Sequence, residues 1–239
     1  MMKDYKIAIL FSGNGSNLEN LYTKMQDFCI EIECDSNALD SSRCDSSDLA
    51  SSIKMGDSAN SVGDSAKMQD SSDLARKIKL DFTCAISSKK DAFGIKRCER
   101  LGLKCEIVDF KSDKSAFEKT MDILEANRID LVVLAGFMRI LPPSFNARFK
   151  AINIHPSILP LFKGANAIKE SYESDMKIAG VSVHFVSDEL DSGALISQDI
   201  IYKIDNESLE SFEERIHILE HKLYPKALIK AIKILECKI

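Results

Sequence analysis

No C-x-x-C pair occurs among the seven cysteines, Cys29, Cys34, Cys44, Cys84, Cys98, Cys105 and Cys237. Their odd number and scattered spacing argue against a disulfide framework and against a structural zinc site. Thiols of this kind persist in reducing surroundings, so a cytoplasmic setting is expected. No apolar run approaches the roughly 20 residues that a membrane helix needs. The opening MMKDYKIAILFSG has an apolar stretch that stops at Gly13, too brief for a secretory leader. With 32 basic and 37 acidic residues the net charge is −5, which gives neither nucleic acid nor an anionic membrane a reason to bind. The nucleophile elbow G-x-S-x-G is missing, so no covalent acyl-enzyme is indicated. The four histidines are not spaced with cysteine or carboxylate for a metal, and none is expected.

What is present suits one compact domain: 239 residues, 45% apolar and 29% charged. One segment stands apart. Residues 33–76 hold nine acidic and four basic residues, 12 serines and no aromatic, so the rest of the chain is charge-balanced. DSSDLA occurs there twice, at 45–50 and 70–75, and KMQD at 24–27 returns at 67–70. Two copies do not make a stacking repeat, so the segment reads as a local duplication, a flexible polar insert within a single domain that spans 1–239.

Around the insert, strands alternate with helices. YKIAILF (5–11), DFTCAIS (81–87), CEIVDF (105–110) and DLVVLAGF (130–137) read as strands. Helical spacing follows in SNLENLYTKMQDF, DAFGIKRCERLGL and SAFEKTMDILEAN. This alternation predicts an α/β fold, a mostly parallel sheet with helices on both faces. VSVHF and ALISQDIIY flank a short acidic turn and predict an antiparallel pair, which makes the sheet mixed. Near the end, Ser211 and Glu214 form a capping-box pattern, and Phe212, Ile216, Leu219 and Leu223 share one helical face. Pro225 is expected to break or kink that helix.

Two stretches carry chemistry. FSGNGSNL links the first strand to a helix, and the N–H groups of Gly15, Ser16 and Asn17 would face an anion at the helix start. The dinucleotide fingerprint fails because Leu18 stands where the third glycine belongs, and the Walker loop fails for want of G-K-[ST]. Anion binding and an ordinary tight turn remain as the two readings. In AINIHPSILPLFKG a buried strand is expected to end at Ile154, with Asn153 and His155 projecting on one side. Pro156 and Pro160 stiffen the backbone just beyond the pair. A structural histidine is one reading. The other joins this pair to the acidic turn SDELDSG, with Asp188, Glu189 and Asp191, because amide, imidazolium and carboxylate together suit acyl transfer.

SGNGSN, VVLAGFMRILP, INIHPSILP and SVHFVSDELDSG, in that order, resemble the folate-dependent phosphoribosylglycinamide formyltransferases. The resemblance covers nearly all of the chain outside 33–76. It implies a Rossmann-like domain with a seven-stranded mixed sheet. It also implies formyl transfer from 10-formyltetrahydrofolate, as cosubstrate, to the amine of glycinamide ribonucleotide, by a monomer or homodimer. By this resemblance Asn153, His155 and Asp191 are catalytic, and Gly15, Ser16 and Asn17 hold the substrate phosphate. His217, Ile218, Leu219 and Glu220 would meet the glycinamide end. Lys114, Met138, Arg139, Ile140 and Leu141, with Asn153 and Ser187, Asp188, Glu189, Leu190 and Asp191, would bind the folate. His184 is either a neighbour that supports this group or a packed strand residue. ANAIKES departs from the family's histidine-containing stretch after LPLFKG. A formyltetrahydrofolate hydrolase, or a formyltransferase with another amine acceptor, is the alternative.

Overall fold

The computed structural model describes residues 2–32 and 76–237. The chain alternates as β1 (Lys3–Phe11), α1 (Ser16–Met25), β2 (Cys29–Ile32), β3 (Arg76–Ser87), α2 (Gly94–Leu101), β4 (Cys105–Ile107), α3 (Ala116–Ala126) and β5 (Leu131–Leu134). It continues through α4 (Pro143–Arg148), β6 (Ala151–His155), α5 (Ala167–Glu173), β7 (Ile178–Phe185), β8 (Leu195–Tyr202) and α6 (Leu209–Glu236).

The strands form one mixed sheet of eight, ordered β2-β3-β1-β5-β6-β7-β8, with β4 also on β3. β1 lies parallel to β3 and β5, β5 is parallel to β6, and β7 and β8 close the far side antiparallel. The eighth strand arises because β2 and β4 share one edge of β3, pairing with its first and last residues respectively. β2 was not among the sequence-based expectations.

β1 shows why a central strand reads as a continuous apolar run. Tyr5, Ile7, Ile9 and Phe11 pack on one face of the sheet, and Ala8 and Leu10 pack on the other. Removing each of the Ile, Leu and Phe side chains from water stabilises the fold by about 1.5–3 kcal/mol. β3 keeps pace through an irregularity at Thr83. Ile78, Leu80 and Phe82 share a face, after which Ala85 takes it up. One extra residue flips the alternation. Helices α1, α2, α5 and α6 cover the first face, and α3 and α4 cover the second.

The strands expected over 105–110 and 130–137 are shorter, as β4 and β5, and other expectations need correction. The strand expected from Asp81 begins at Arg76, so Arg76, counted in the polar insert, belongs to β3. The rest of that insert, 33–75, lies outside the described residues. Its two flanks, Ile32 and Arg76, are cross-strand partners. The last helix starts one turn earlier than the Ser211–Glu214 pattern suggests: Ser208 is the N-cap, and its hydroxyl accepts the Ser211 N–H at 3.2 Å. Nor does Pro225 end the helix, which runs on to Glu236. The carbonyl that the proline leaves without its helical donor, that of His221, accepts instead from Asn20 Nδ2 at 3.0 Å and Lys24 Nζ at 3.2 Å on α1. β6 also runs one residue further than expected, to His155.

Candidate active site

The chain moves outward from β1 to β3 and β4, then returns to place β5 on the other side of β1. Open α/β sheets bind ligands at such a switch point, beyond the strands' carboxyl ends. Ser12, at the end of β1, ties the loops there together. Its hydroxyl accepts from Ser88 Oγ at 2.6 Å and from the Met138 N–H at 2.9 Å.

Gly15 turns the chain into α1 with φ of 75°, and a Cβ on it would lie 2.7 Å from the Cα of Gly94. Both the backbone angle and the close approach to α2 demand glycine there. No side chain caps α1, and its first intrahelical bond runs from Glu19 N to Gly15 O at 3.0 Å. The N–H groups of Ser16, Asn17 and Leu18 are therefore left for a partner outside the helix. Arg97 of α2 braces the loop, donating from Nε to Asn14 O and from Nη2 to Asn14 Oδ1, both at 2.9 Å, while pairing with Glu19. Nothing in the sequence pattern marked Arg97, since only the fold brings α2 beside the loop.

Asn17 faces α6 as well. Its Nδ2 donates to Glu220 Oε2 at 3.0 Å, and His217 Nδ1 lies 2.9 Å from the same oxygen. Glu220 is buried at 5% exposure. Its hydrogen bond to His217 raises that imidazole's pKa against the opposing effect of burial, and burial lowers that of His221. Asn17 Oδ1 and His221 Nε2 are buried without a hydrogen-bond partner, so the junction of α1 and α6 holds both an unused acceptor and an unused ring nitrogen. Ile218 is exposed, and the Leu219 side chain lies in the core.

At the end of β6 the antiparallel register sets Asn153 opposite His184. Asn153 Nδ2 lies 3.3 Å from His184 Nε2. The other nitrogen of His184 faces the Phe185 carbonyl at 2.8 Å and so donates to it. Asp191, with φ of 50°, turns inward from the loop between β7 and β8. Its Oδ2 is 3.4 Å from His155 Nδ1, and its Oδ1 is 3.6 Å from His184 Nε2. Gly164 N–H donates to Oδ2 at 2.9 Å. Burial pushes the Asp191 carboxyl up. The nearby His184 ring, the Gly164 N–H and the charge of His155 outweigh burial and hold it below the ordinary value.

His155 Nε2 meets the Phe162 carbonyl at 2.8 Å, so both its ring nitrogens face oxygen acceptors. A ring with two protons satisfies both. Phe162 and Gly164 belong to the loop after β6, which includes a cis Leu159–Pro160 bond. Ser182 and Gln198, which no sequence pattern singled out, anchor this loop. Ser182 Oγ donates to Ser157 O at 2.6 Å, and Gln198 Nε2 donates to Leu159 O at 2.9 Å.

The remaining candidates are divided between the interior and the surface. Met138 and Ile140 are exposed at 65% and 67%, whereas Leu141 packs in the core. Arg139 lies over the Phe110 ring, 5.8 Å from its centroid, with a buried Nε that has no partner. Within the acidic turn only Asp191 is buried. Asp188 accepts from Asn146 of α4 at 2.8 Å, Glu189 pairs with Lys163 at 3.6 Å, and Ser187 Oγ donates to Glu189 O at 3.0 Å. Leu190 is exposed. A cavity of about 200 Å³ lined by Leu159, Pro160, Lys163 and Leu195 opens at Asp191. Lys114 is exposed ahead of α3, next to Asp113, which lines a separate 490 Å³ cleft. Among the described residues no three His, Cys, Asp or Glu side chains are grouped to hold a metal ion.

The chain is similar over 97% of its length to all of the crystal structure of phosphoribosylglycinamide formyltransferase from Campylobacter jejuni, with 40% identity and a TM-score of 0.73. It is 36% identical over 148 residues to the phosphoribosylglycinamide formyltransferase of Bacillus subtilis, which covers 60% of this chain and 76% of that protein. It is also 37% identical over 153 residues to the trifunctional purine biosynthetic protein adenosine-3 of Gallus gallus, of whose length it spans 15%. The family model described as formyl transferase matches residues 59–228, a span that includes Asn153, His155, His184 and Asp191. The cluster at the end of β6 thus lies within the matched segment, and the chain belongs to the formyl transferase family.

Proposed function

We propose that this protein transfers a formyl group from 10-formyltetrahydrofolate to the amine of 5'-phosphoribosylglycinamide, as a step of purine synthesis in the cytoplasm. The observation that carries the reading is that two features lie beyond the carboxyl ends of the parallel strands β1 and β6, at one end of the sheet. One is the Asn153–His155–Asp191 cluster with His184. The other is the uncapped start of α1, whose N–H groups suit a phosphate. Asn17 adds a second argument, because it joins that helix start to the buried Glu220 carboxylate, an acceptor for hydrogen-bond donors of the same substrate. We also place 33–76, apart from Arg76, as an insertion between two paired strands of a single domain.

The chemistry follows from the residues. The neutral amine attacks the formyl carbon, and the carbonyl electron pair moves onto the formyl oxygen. Asn153 Nδ2 donates to that oxygen. The His155 imidazolium donates to it as well, exchanging the Phe162 carbonyl for the oxyanion. Asp191, 3.4 Å from Nδ1, orients the His155 ring and orders a water. When the intermediate collapses, the bond from carbon to the folate nitrogen breaks. Its electron pair stays on that nitrogen, which receives the proton lost by the amine through the water.

Loss of one oxyanion donor lowers turnover by about 10²–10³-fold. An absorbance assay with 10-formyl-5,8-dideazafolate, run with and without glycinamide ribonucleotide, tests the reading. Asn153→Ala and His155→Ala are expected to remain folded and to lose turnover to that extent. Near-normal rates in either variant refute the assignment, and deformylation without the acceptor makes the protein a hydrolase instead.

A further inference from the structure

The loop after β6 meets the reacting group with its tip. The Phe162 carbonyl faces His155 Nε2 at 2.8 Å, and the Gly164 N–H donates to Asp191 Oδ2 at 2.9 Å. Phe162 and Gly164 both sit at positive φ, 53° and 91°, as does Asp191 at 50°. For a bulky residue such as Phe162 that backbone is unfavourable and persists only where its surroundings hold it. Lys163 stands between the two tip residues. Its ammonium reaches across to the β7–β8 loop, where it donates to Ser192 Oγ and pairs with Glu189 Oε1 at 3.6 Å. The Ser192 hydroxyl passes the contact on, donating to Leu190 O at 3.1 Å. One lysine thus engages residues on both sides of Asp191. The pair with Glu189, which is 80% exposed, contributes little by itself. The charge-assisted hydrogen bond to Ser192 is the stronger contact.

We infer that Lys163 is a positioning residue for formyl transfer: by clamping the loop after β6 to the β7–β8 loop it holds the His155 ring and the Asp191 carboxylate at their working separation. The step that it serves rests on the proposed transferase reading. Lys163 acts through its chain neighbours Phe162 and Gly164 on one side, and through Leu190 and Ser192, the neighbours of Asp191, on the other. Cutting such a clamp costs rate more than affinity. Misplacement of a reacting group by about 1 Å raises the barrier while the substrates still bind.

Steady-state kinetics of formyl transfer in Lys163→Met, Lys163→Arg, Ser192→Ala and the double variant Lys163→Met/Ser192→Ala test this role. Methionine keeps an aliphatic stem along the cavity at Asp191, which Lys163 lines, and removes the charge and the donors. Lys163→Met is expected to lower kcat by about tenfold or more and to change the KM of each substrate by less than about twofold. Lys163→Arg, which can still donate to Ser192, is expected to regain most of the lost rate. Ser192→Ala is expected to lower kcat by itself and to add less than about twofold in the Lys163→Met background. A wild-type kcat in Lys163→Met overturns the inference. So does a raised KM with kcat retained, which makes Lys163 a binding residue, and so do fully additive losses in the double variant. If circular dichroism shows Lys163→Met unfolded, the same split between kcat and KM in Ser192→Ala decides. Should the wild type transfer no formyl group, the transferase reading fails, and the clamp is judged by amide hydrogen exchange at Gly164. That exchange is expected to speed in Lys163→Met and not in Lys163→Arg, and equal exchange in wild type and both variants overturns the clamp.

Discussion

Asp191 and Gly164 are joined by a 2.9 Å hydrogen bond from backbone N–H to carboxylate. The oxygen that accepts it is also the one facing His155. One carboxylate thus orients the imidazole and holds the loop after β6, so its charge and its acceptor geometry can be separated by substitution. Asp191→Asn retains an oxygen for Gly164 and loses the charge; Asp191→Ala loses both. Both variants are expected to lose formyl transfer by about 10²–10³-fold, on the scale of other electrostatic contributions to catalysis. Only Asp191→Ala is expected to speed amide hydrogen exchange at Gly164, which reports local opening of the loop. Equal exchange in the two variants would sever the link between carboxylate and loop.

The two glycines of the β1–α1 loop are not equivalent. Gly15 has φ of 75° and a Cβ position 2.7 Å from backbone, whereas a Cβ on Gly13 meets nothing within 4 Å. Gly15→Ala is expected to lower the free energy of unfolding by more than about 1 kcal/mol, since strained φ and a backbone clash act together. Gly13→Ala is expected to change it by less than about 0.5 kcal/mol. Urea denaturation of the two variants measures both.

Much of this fold was legible because the relevant rules are local. β5 and the Ile7–Phe11 half of β1 are apolar throughout since both their faces are covered, and the α1 stripe of Leu18, Leu21 and Met25 is buried as its spacing requires. β2 was not legible: CIEI is four residues long and borders the polar 33–76 stretch. The start of α6 offered two serines three apart, and the capping-box spacing favours Ser211. In the fold its hydroxyl instead turns back to Glu207 at 3.1 Å while Ser208 caps. In the site, Asn153 and His155 could be placed together by the alternation of a strand. The partnership of Asn153 with His184 depends on the β6–β7 register, and that of Asn17 with Glu220 on the packing of α1 against α6. Neither is encoded within any short window of sequence.

Pro225 gives the clearest case of a local rule overridden by packing. A proline in a helix interior removes one donor and costs about 3 kcal/mol where nothing replaces it. Here Asn20 Nδ2 and Lys24 Nζ supply donors to the His221 carbonyl at 3.0 and 3.2 Å. Asn20→Ala is therefore expected to destabilise the protein by about 1 kcal/mol, the worth of one such bond. In a Pro225→Ala background the new backbone N–H can take the same carbonyl, so removing Asn20 should cost less. A coupling of at least about 0.5 kcal/mol is expected from the four proteins of the cycle, measured by urea denaturation. Strict additivity would mean that the Asn20 contact is incidental to the proline. The coupling, if found, also explains why α1 and α6 stay in register at the point where Asn17 must reach Glu220: the carbonyl freed by the proline is the anchor that docks one helix on the other.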